Sequence, residues 1–418
     1  MSDNTRTRIR LTGVSKVFGR QAGKALADLR KGKSKTEVQL AHNAVVGAFD
    51  VSLEIMSGEI FVIMGLSGSG KSTLLRLINR LHEPTAGQIL IDDEDITQLK
   101  PKALRALRRR KFGMVFQSFA LLPHRTVMGN VEFGLEIQGV PKAERRERSQ
   151  EIIGTVGLGG YETRYAAELS GGMQQRVGLA RALAADPEIL LMDEAFSALD
   201  PLIRSQLQDD LLEIQDRLGK TIVFVSHDLD EALKLGNRIA IMRDGRLIQV
   251  GTPEDIIARP ADDYVSAFVE GADRTQVLTA EQIMRQPTTT GHPKDSPRTL
   301  LRKMERSGFG GLVVVDNGRQ VQGYIGLDEA IRQRDQERLD LATLQPLPAA
   351  DPDTHLNDLI NLVTEKTSPV VVLDARKRLN GIIDKSTLLA ALAQGDTTGK
   401  AAADPPPANG DHGGSEVA

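Results

Sequence analysis

Short apolar runs, each ending in a glycine or polar segment, punctuate the first two-thirds of the chain. Phe61-Val62-Ile63-Met64 and Ile189-Leu190-Leu191-Met192 show no polar alternation, and Thr221 to Ser226 is nearly as apolar. Runs of this length and kind read as strands buried on both faces of a sheet. Thr73-Leu74-Leu75-Arg76-Leu77-Ile78 reads as a helix, and Pro141 to Ile153 is charged with helical spacing. Buried strands alternating with helices predict an α/β fold.

The pattern changes past Asp273. Val313-Val314-Val315-Asp316 precedes Gly323-Tyr324-Ile325, and Val371-Val372-Leu373-Asp374 precedes Gly381-Ile382-Ile383 at the same offset. Asn317-Gly318 and Ala375-Arg376-Lys377 supply the turn residues between the strands. Each unit reads strand, turn, glycine, strand, helix, so this part is an internal repeat of small α+β units. The expected organisation is one domain over residues 1–271, with a helical subdomain at about 118–168, then a repeated module over 277–395. Gly271-Ala272-Asp273 reads as the linker. Residues 396–418 hold Pro405-Pro406-Pro407, several glycines and a net negative charge; such a tail cannot bury a core and is expected to be disordered.

Composition narrows the chemistry. The 418 residues are 40 % hydrophobic and 26 % charged, an ordinary globular balance, with a net charge of −3. That charge argues against a nucleic-acid binder. With no Cys, disulfides, thiolate metal sites and cysteine nucleophiles are excluded. Met1-Ser-Asp-Asn-Thr-Arg lacks the apolar core of a signal peptide, and no apolar run approaches the ~20 residues that span a bilayer. A cytoplasmic location is expected, with any membrane role exercised through a partner.

The first apolar run leads into Gly65-Leu-Ser-Gly-Ser-Gly-Lys-Ser72, which fits the phosphate-binding pattern G-x-x-x-x-G-K-[ST] in its strand–loop–helix context. Glycines let successive N–H groups point at one anion, and the following helix adds its positive end. Gly65, Ser67, Gly68, Ser69, Gly70, Lys71, Ser72 and Thr73 are the candidate nucleotide-binding set, with Lys71 on the β- and γ-phosphates and Ser72 on Mg²⁺. The second run ends in Asp193-Glu194. Asp193 is the candidate magnesium ligand and Glu194 the candidate general base for an attacking water. Leu169-Ser170-Gly171-Gly172-Met173-Gln174-Gln175 is a Ser-Gly-Gly turn opening a helix, either an anion-binding N-terminus or an ordinary capped helix.

That last segment resembles the signature motif of ABC-transporter ATPases, and the family's other motifs follow in order over about residues 8–270. Gln117, in Met114-Val-Phe-Gln-Ser118, resembles the Q-loop glutamine. Ser197-Ala-Leu-Asp200 resembles the D-loop, and His227 the switch histidine. The resemblance implies a P-loop ABC ATPase that binds ATP and Mg²⁺. It implies Gln117 sensing magnesium and the attacking water, and His227 on the γ-phosphate. It also implies a head-to-tail dimer, in which Ser170, Gly171, Gly172 and Asp200 of one copy face the ATP of the other. Phe18 is the best match to the aromatic that stacks on adenine.

Longer strings, among them Asp193-Glu-Ala-Phe-Ser-Ala-Leu-Asp-Pro-Leu-Ile-Arg204, are similar to the ATP-binding subunits of glycine betaine/proline betaine importers. The implied partners are a second copy of the chain, a transmembrane permease and a substrate-binding protein acting through it. The implied place is the cytoplasmic face of the inner membrane. Another small-solute importer, such as one for an amino acid, and a soluble non-transport ABC ATPase remain alternatives. Phe119 to Pro123 is either a permease docking surface or internal packing. Arg20 to Val46, carrying Arg20, Lys24, Arg30, Lys31, Lys33 and Lys35, reads as a solvated amphipathic helical insert. The repeated units resemble a tandem CBS pair, either sensing a nucleotide or ionic strength or serving dimerisation. By analogy, Asp328 and Asp384 would contact a ribose.

Overall fold

The computed structural model describes residues 6–270, 275, 277–364 and 368–393. The linker and tail expected at 271–273 and 396–418 lie outside them. The chain divides into two compact units, one up to Ala272 and one from Asp273.

The first unit opens with β1 (Thr7–Phe18), α1 (Ala22–Arg30), α2 (Lys35–His42), β2 (Val45–Met56), β3 (Ile60–Met64) and α3 (Lys71–Ile78). It continues through β4 (Ala86–Ile91), β5 (Glu94–Asp95), α4 (Pro101–Lys111) and β6 (Phe112–Phe116). The helices α5 (Val127–Val131), α6 (Phe133–Gln138), α7 (Lys142–Thr155) and α8 (Gly171–Ala184) follow. The unit closes with β7 (Ile189–Asp193), α9 (Pro201–Leu218), β8 (Thr221–Ser226), α10 (Leu229–Leu235), β9 (Arg238–Arg243), β10 (Arg246–Gly251), α11 (Pro253–Ala258) and α12 (Asp263–Val269).

Two sheets form. One is antiparallel in the order β2-β1-β4-β5; the other runs β10-β9-β3-β8-β7-β6 and is parallel except for β10. The unbroken apolar runs explain the second sheet's centre: every residue of β3, β7 and β8 is buried. Helix α3 puts Leu74, Leu75, Leu77 and Ile78 into one core with Ile9 and Ile89 of the first sheet and Ile63, Leu191 and Val225 of the second. The phosphate loop is therefore held at the end of a central strand, between two sheets that share a core. Helices α5 to α7, with the start of α8, make up the helical stretch between β6 and β7. Phe119 to Pro123 ahead of it is half-buried or exposed.

The second unit contains α13 (Ala280–Ile283), α14 (Pro297–Ser307), β11 (Gly311–Val315), β12 (Val321–Gly326) and α15 (Leu327–Arg332). Its second half contains β13 (Ala349–Ala350), α16 (Leu356–Thr364), β14 (Val370–Leu373), β15 (Leu379–Ile383) and α17 (Lys385–Ala393). The repeat is exact at the level of register: Val314 pairs with Gly323 in the first hairpin as Val372 pairs with Gly381 in the second. Each half has its own core, around Leu300, Val314 and Ile325 in one and Leu359, Val372 and Ile383 in the other. Val313 and Val315 then pack with Val371 and Leu379, joining the two hairpins.

Candidate functional site

The phosphate loop wraps from β3 into α3. Gly70 caps α3 with φ +105°, and a Cβ there would lie 2.1 Å from the Gly47 carbonyl. Only glycine fits so close to a neighbouring backbone. Lys71, 5 % exposed, donates from Nζ to the Gly65 carbonyl at 2.8 Å and the Leu66 carbonyl at 3.2 Å. Burial pulls the Lys71 ammonium below its ordinary pKa, and the nearby Glu194 and Asp193 oppose that pull. Ser69 Oγ is buried with no hydrogen-bond partner, a polar atom left for a ligand to satisfy.

Around this loop lies a cavity of about 310 Å³ lined by Phe18, Ser67, Gly68, Gly70, Lys71, Ser72, Thr73 and Glu194, together with Lys35 and the β2 residues Val45 to Gly47. Phe18 is half-buried. Its ring meets His82 edge-on at 5.2 Å, and Lys16 Nζ lies 4.9 Å from its centroid. An aromatic wall beside a phosphate loop suits a nucleoside base and its phosphates.

The carboxylates come from the end of β7. Asp193, 7 % exposed, receives a hydrogen bond from Arg76 Nη2 at 3.2 Å. Glu194 takes a left-handed backbone, φ +48°, while its N–H donates to the Val225 carbonyl at 3.1 Å. A non-glycine residue held in that region is strained, by about 1–2 kcal/mol, and the strain aims its side chain back to the loop. Glu194 Oε1 lies 4.0 Å from Lys71 Nζ, and Oε2 lies 3.4 Å from Nδ1 of His227 on the next strand's exit. Ser72 and Asp193 offer oxygen only, the donor type Mg²⁺ prefers. Among the described residues no cluster of three or more His, Cys, Asp or Glu could hold a metal by itself.

The other predicted residues stand apart from this cavity. Gln117 is exposed, and its Nε2 donates to Ser197 Oγ at 3.1 Å, which in turn donates to the Glu194 carbonyl at 3.0 Å. Ser170 caps α8 by accepting from Met173 N at 3.4 Å, and it is exposed together with Gly171; Gly172 is half-buried. Asp200 caps α9 by accepting from Ile203 N at 3.1 Å. Arg181 of α8 donates to the carbonyls of Phe119 and Ala120, both left-handed, and so fixes the segment after Gln117.

In the second unit, a cavity of about 160 Å³ lies between the two repeats, lined by Gly311, Tyr324, Val363, Pro369 and Asp384 among others. Burial would raise the Asp384 carboxyl. The donors Ser386 and Thr387, with Arg285 at 2.6 Å, outweigh it and hold the pKa below its usual value. Asp328 is exposed on α15 and does not line this cavity, so of the two aspartates singled out by analogy, Asp384 alone lines it.

Sequence reasoning passed over Lys35, Arg76 and Gly47. The charge run around Lys35 was visible, but which of its lysines meets the loop depends on how α2 folds back. Arg76 sits in the helix after the loop, where a basic residue carries no motif signal.

The ABC transporter family profile matches residues 48–197, and the CBS domain profile matches residues 280–335. The glycine betaine transport ATP-binding protein OpuAA of Bacillus subtilis (strain 168) is 47 % identical over 393 residues, 94 % of each chain. The glycine betaine/proline betaine transport system ATP-binding protein ProV of Escherichia coli (strain K12) is 46 % identical over 392 residues, 92 % of this chain and 97 % of that one. Among solved structures, the dimeric bacterial ABC transporter cassette MJ0796 is 34 % identical; the match covers 59 % of this chain and 98 % of that one, with a TM-score of 0.50. Identity of this order, sustained across both units and joined to an intact phosphate loop, means that the chain belongs to the ABC transporter ATP-binding proteins, a family of ATPases.

Proposed function

We propose that this chain is the ATP-hydrolysing subunit of an importer for glycine betaine or proline betaine, working through a separate membrane permease. The observation that carries the reading is the single cavity joining the phosphate loop, Phe18 and Glu194 in a chain 47 % identical to a glycine betaine transport ATP-binding protein over 94 % of its length. Residues 1–271 are the ATPase domain, with the helical subdomain at about 118–168 facing the permease. Residues 277–395 are a tandem CBS module that regulates it, through ionic strength or a nucleotide.

In this reading Phe18 stacks on adenine, and Lys71, Ser69 and the N–H groups of Gly68 and Gly70 bind the phosphates. Mg²⁺, when bound, offsets charge on the phosphate oxygens; Ser72, Asp193 and Gln117 are its ligand candidates. Glu194 accepts the proton of the attacking water. His227, already 3.4 Å from Glu194, turns toward the γ-phosphate. Gln117 donates to Ser197 through Nε2, which leaves Oε1 as the atom that would meet the metal. Ser170, Gly171, Gly172 and Asp200 act on the ATP of a second copy in a head-to-tail dimer; the exposure of Ser170, Gly171 and Asp200, and the dimeric form of the MJ0796 cassette, support this. Among the described residues no helix is long and apolar enough to cross a membrane. Attachment to the cytoplasmic face of the inner membrane would run through the permease, and solute would arrive from a substrate-binding protein on the other side.

The test is glycine betaine uptake into vesicles holding this protein and its permease, with ATP enclosed, internal salt varied and Glu194→Gln as control. Uptake that needs Glu194 and rises with internal salt supports the importer and its regulation. ATP hydrolysis without betaine uptake would retain the ATPase and demand a different solute.

A further inference from the structure

The insert between β1 and β2 is not uniformly solvated. Arg20, Lys24, Arg30, Lys31 and Lys33 are exposed, as a wet basic face requires, but Ala25, Leu26, Leu29 and Val38 are buried with Val17, Ala44 and Val46 in a core of their own. The insert is therefore a fixed part of the domain, and it holds one cation differently from the rest. Lys35 is the first residue of α2, whose start is set by a reciprocal capping box: Glu37 N donates to Ser34 Oγ at 3.2 Å and Ser34 N to Glu37 Oε2 at 2.7 Å. Its side chain, 27 % exposed, turns to the phosphate loop, where Nζ donates to the Gly68 carbonyl at 3.3 Å and stands 3.6 Å from Asp244 Oδ1. The turn carrying Asp244 is tied to the same loop, since Gly245 N donates to the Ser69 carbonyl at 2.8 Å.

Lys35 thus lines the cavity that Lys71 lines, yet belongs to no phosphate-loop pattern. Its contacts with Gly68 and Asp244 are weak ones. A neutral carbonyl at 3.3 Å uses one of three ammonium donors. Asp244 is 65 % exposed, and an exposed ion pair contributes little. A polyphosphate placed over Ser67 and Gly68 would be the stronger partner, because charge-assisted hydrogen bonds to phosphate oxygen exceed those to a neutral carbonyl. It would also satisfy an ammonium held by a preorganised helix start, at small entropic cost.

We infer that Lys35 is a second polyphosphate-binding lysine of this site, supplied by the insert, so that the start of α2 forms part of the nucleotide pocket. The inference rests on the nucleotide reading above. Lys35 positions the phosphate chain and takes no part in water activation, which belongs to Glu194. Its removal acts on binding and leaves the chemical step alone.

The test uses the full chain and measures the affinity of ATP, ADP and adenosine, with steady-state hydrolysis, for wild type, Lys35→Gln, Lys35→Arg, Lys33→Gln and Lys71→Ala. Lys35→Gln should weaken ATP and ADP about tenfold, the order expected for one charge-assisted contact, with adenosine unchanged. KM for ATP should rise by the same factor with kcat retained. Lys35→Arg should recover most of the loss, and Lys33→Gln, which alters an exposed lysine paired with Asp28, should change nothing. Unchanged ATP affinity in Lys35→Gln, with Lys71→Ala still weakening it, overturns the role of Lys35 and leaves the nucleotide site standing. Equal losses for ATP and adenosine would make Lys35 a structural residue and overturn the inference. If neither Lys35→Gln nor Lys71→Ala affects ATP, the nucleotide reading of the cavity falls with it.

Discussion

The two glycine turns of the ATPase unit are built on opposite plans. The phosphate loop is enclosed: Lys71 is 5 % exposed, Ser69 4 %, and Gly70 abuts the backbone of Gly47. The Ser170-Gly171-Gly172 turn is open: Ser170 and Gly171 face solvent, and neither lines the cavity that the phosphate loop shares with Glu194. A closed loop brings its partners from its own chain. A helix start whose first residues face solvent leaves room for a partner from elsewhere. The difference is what a site shared between two copies requires, with one copy giving the pocket and the other the lid.

The sharpest way to break this comparison is at the closed side. Glu194→Gln should keep ATP binding and lower hydrolysis about a thousandfold, within the usual reach of general-base catalysis, while dimer accumulates with ATP. Turnover measured beside light scattering checks both. A variant that hydrolyses ATP at the wild-type rate places the base elsewhere. Next in size, Lys71→Ala should weaken ATP by about 1.5–3 kcal/mol, roughly tenfold to a hundredfold, and calorimetric titration reads this directly. If affinity is untouched, the enclosed lysine is not a phosphate ligand.

Contiguity decides what the sequence makes legible. The phosphate loop and Asp193-Glu194 announce themselves because one anion needs several neighbouring backbone groups, and because buried parallel strands are unbroken apolar runs. The twin hairpins of the second unit were legible from Gly323 and Gly381, which fall at the same register. Contacts between distant segments were not. Nothing local says that Lys35 folds onto Gly68 while Lys33 pairs with Asp28, or that Gln117 rests on Ser197 across 80 residues. The strand order was equally hidden, since β3 lies between β8 and β9. The left-handed backbone of Glu194 is a tertiary imposition on a residue type that does not ask for it. The buried stripe Ala25, Leu26 and Leu29 was present in the insert, but its cations drew the reading toward solvent.

The open side is tested by a methyl group. A Cβ on Gly171 would meet Leu199 Cδ2 at 3.4 Å and otherwise only Phe119 at 3.8 Å, ordinary contacts within the chain. Gly171→Ala at this first helical position should therefore fold well, with a gain of up to about 0.5–1 kcal/mol from the lost flexibility of the unfolded chain. If a second copy's nucleotide closes on this turn, the same methyl should lower turnover about tenfold, the equivalent of ~1.4 kcal/mol, without touching ATP binding to the monomer. Higher thermal stability with lower activity is the expected pair of results. Full turnover in Gly171→Ala would mean the turn is an ordinary helix cap and that the open side has no catalytic partner.

The smallest effect expected comes from a cost that enclosure imposes on the closed side. Glu231 is 6 % exposed beneath the end of β8 and receives hydrogen bonds from Ser226 Oγ at 2.5 Å and Gln208 Nε2 at 3.2 Å. Burial pushes its carboxyl above the ordinary 4.5; the two hydrogen bonds pull back without cancelling this. The fold therefore favours the protonated acid. As pH rises from about 4.5 through the raised folded value, the native state loses stability relative to an unfolded chain whose glutamate ionises freely. Glu231→Gln keeps the shape and removes the ionisation. It should melt close to wild type at pH 4.5 and gain on it as the pH is raised to 8, with ATP hydrolysis unchanged because Glu231 does not line the cavity. A variant that loses ground as pH rises would mean that the ionised carboxylate, held by Ser226 and Gln208, stabilises the strand end that presents His227. The enclosure would then be a source of order there, not a cost.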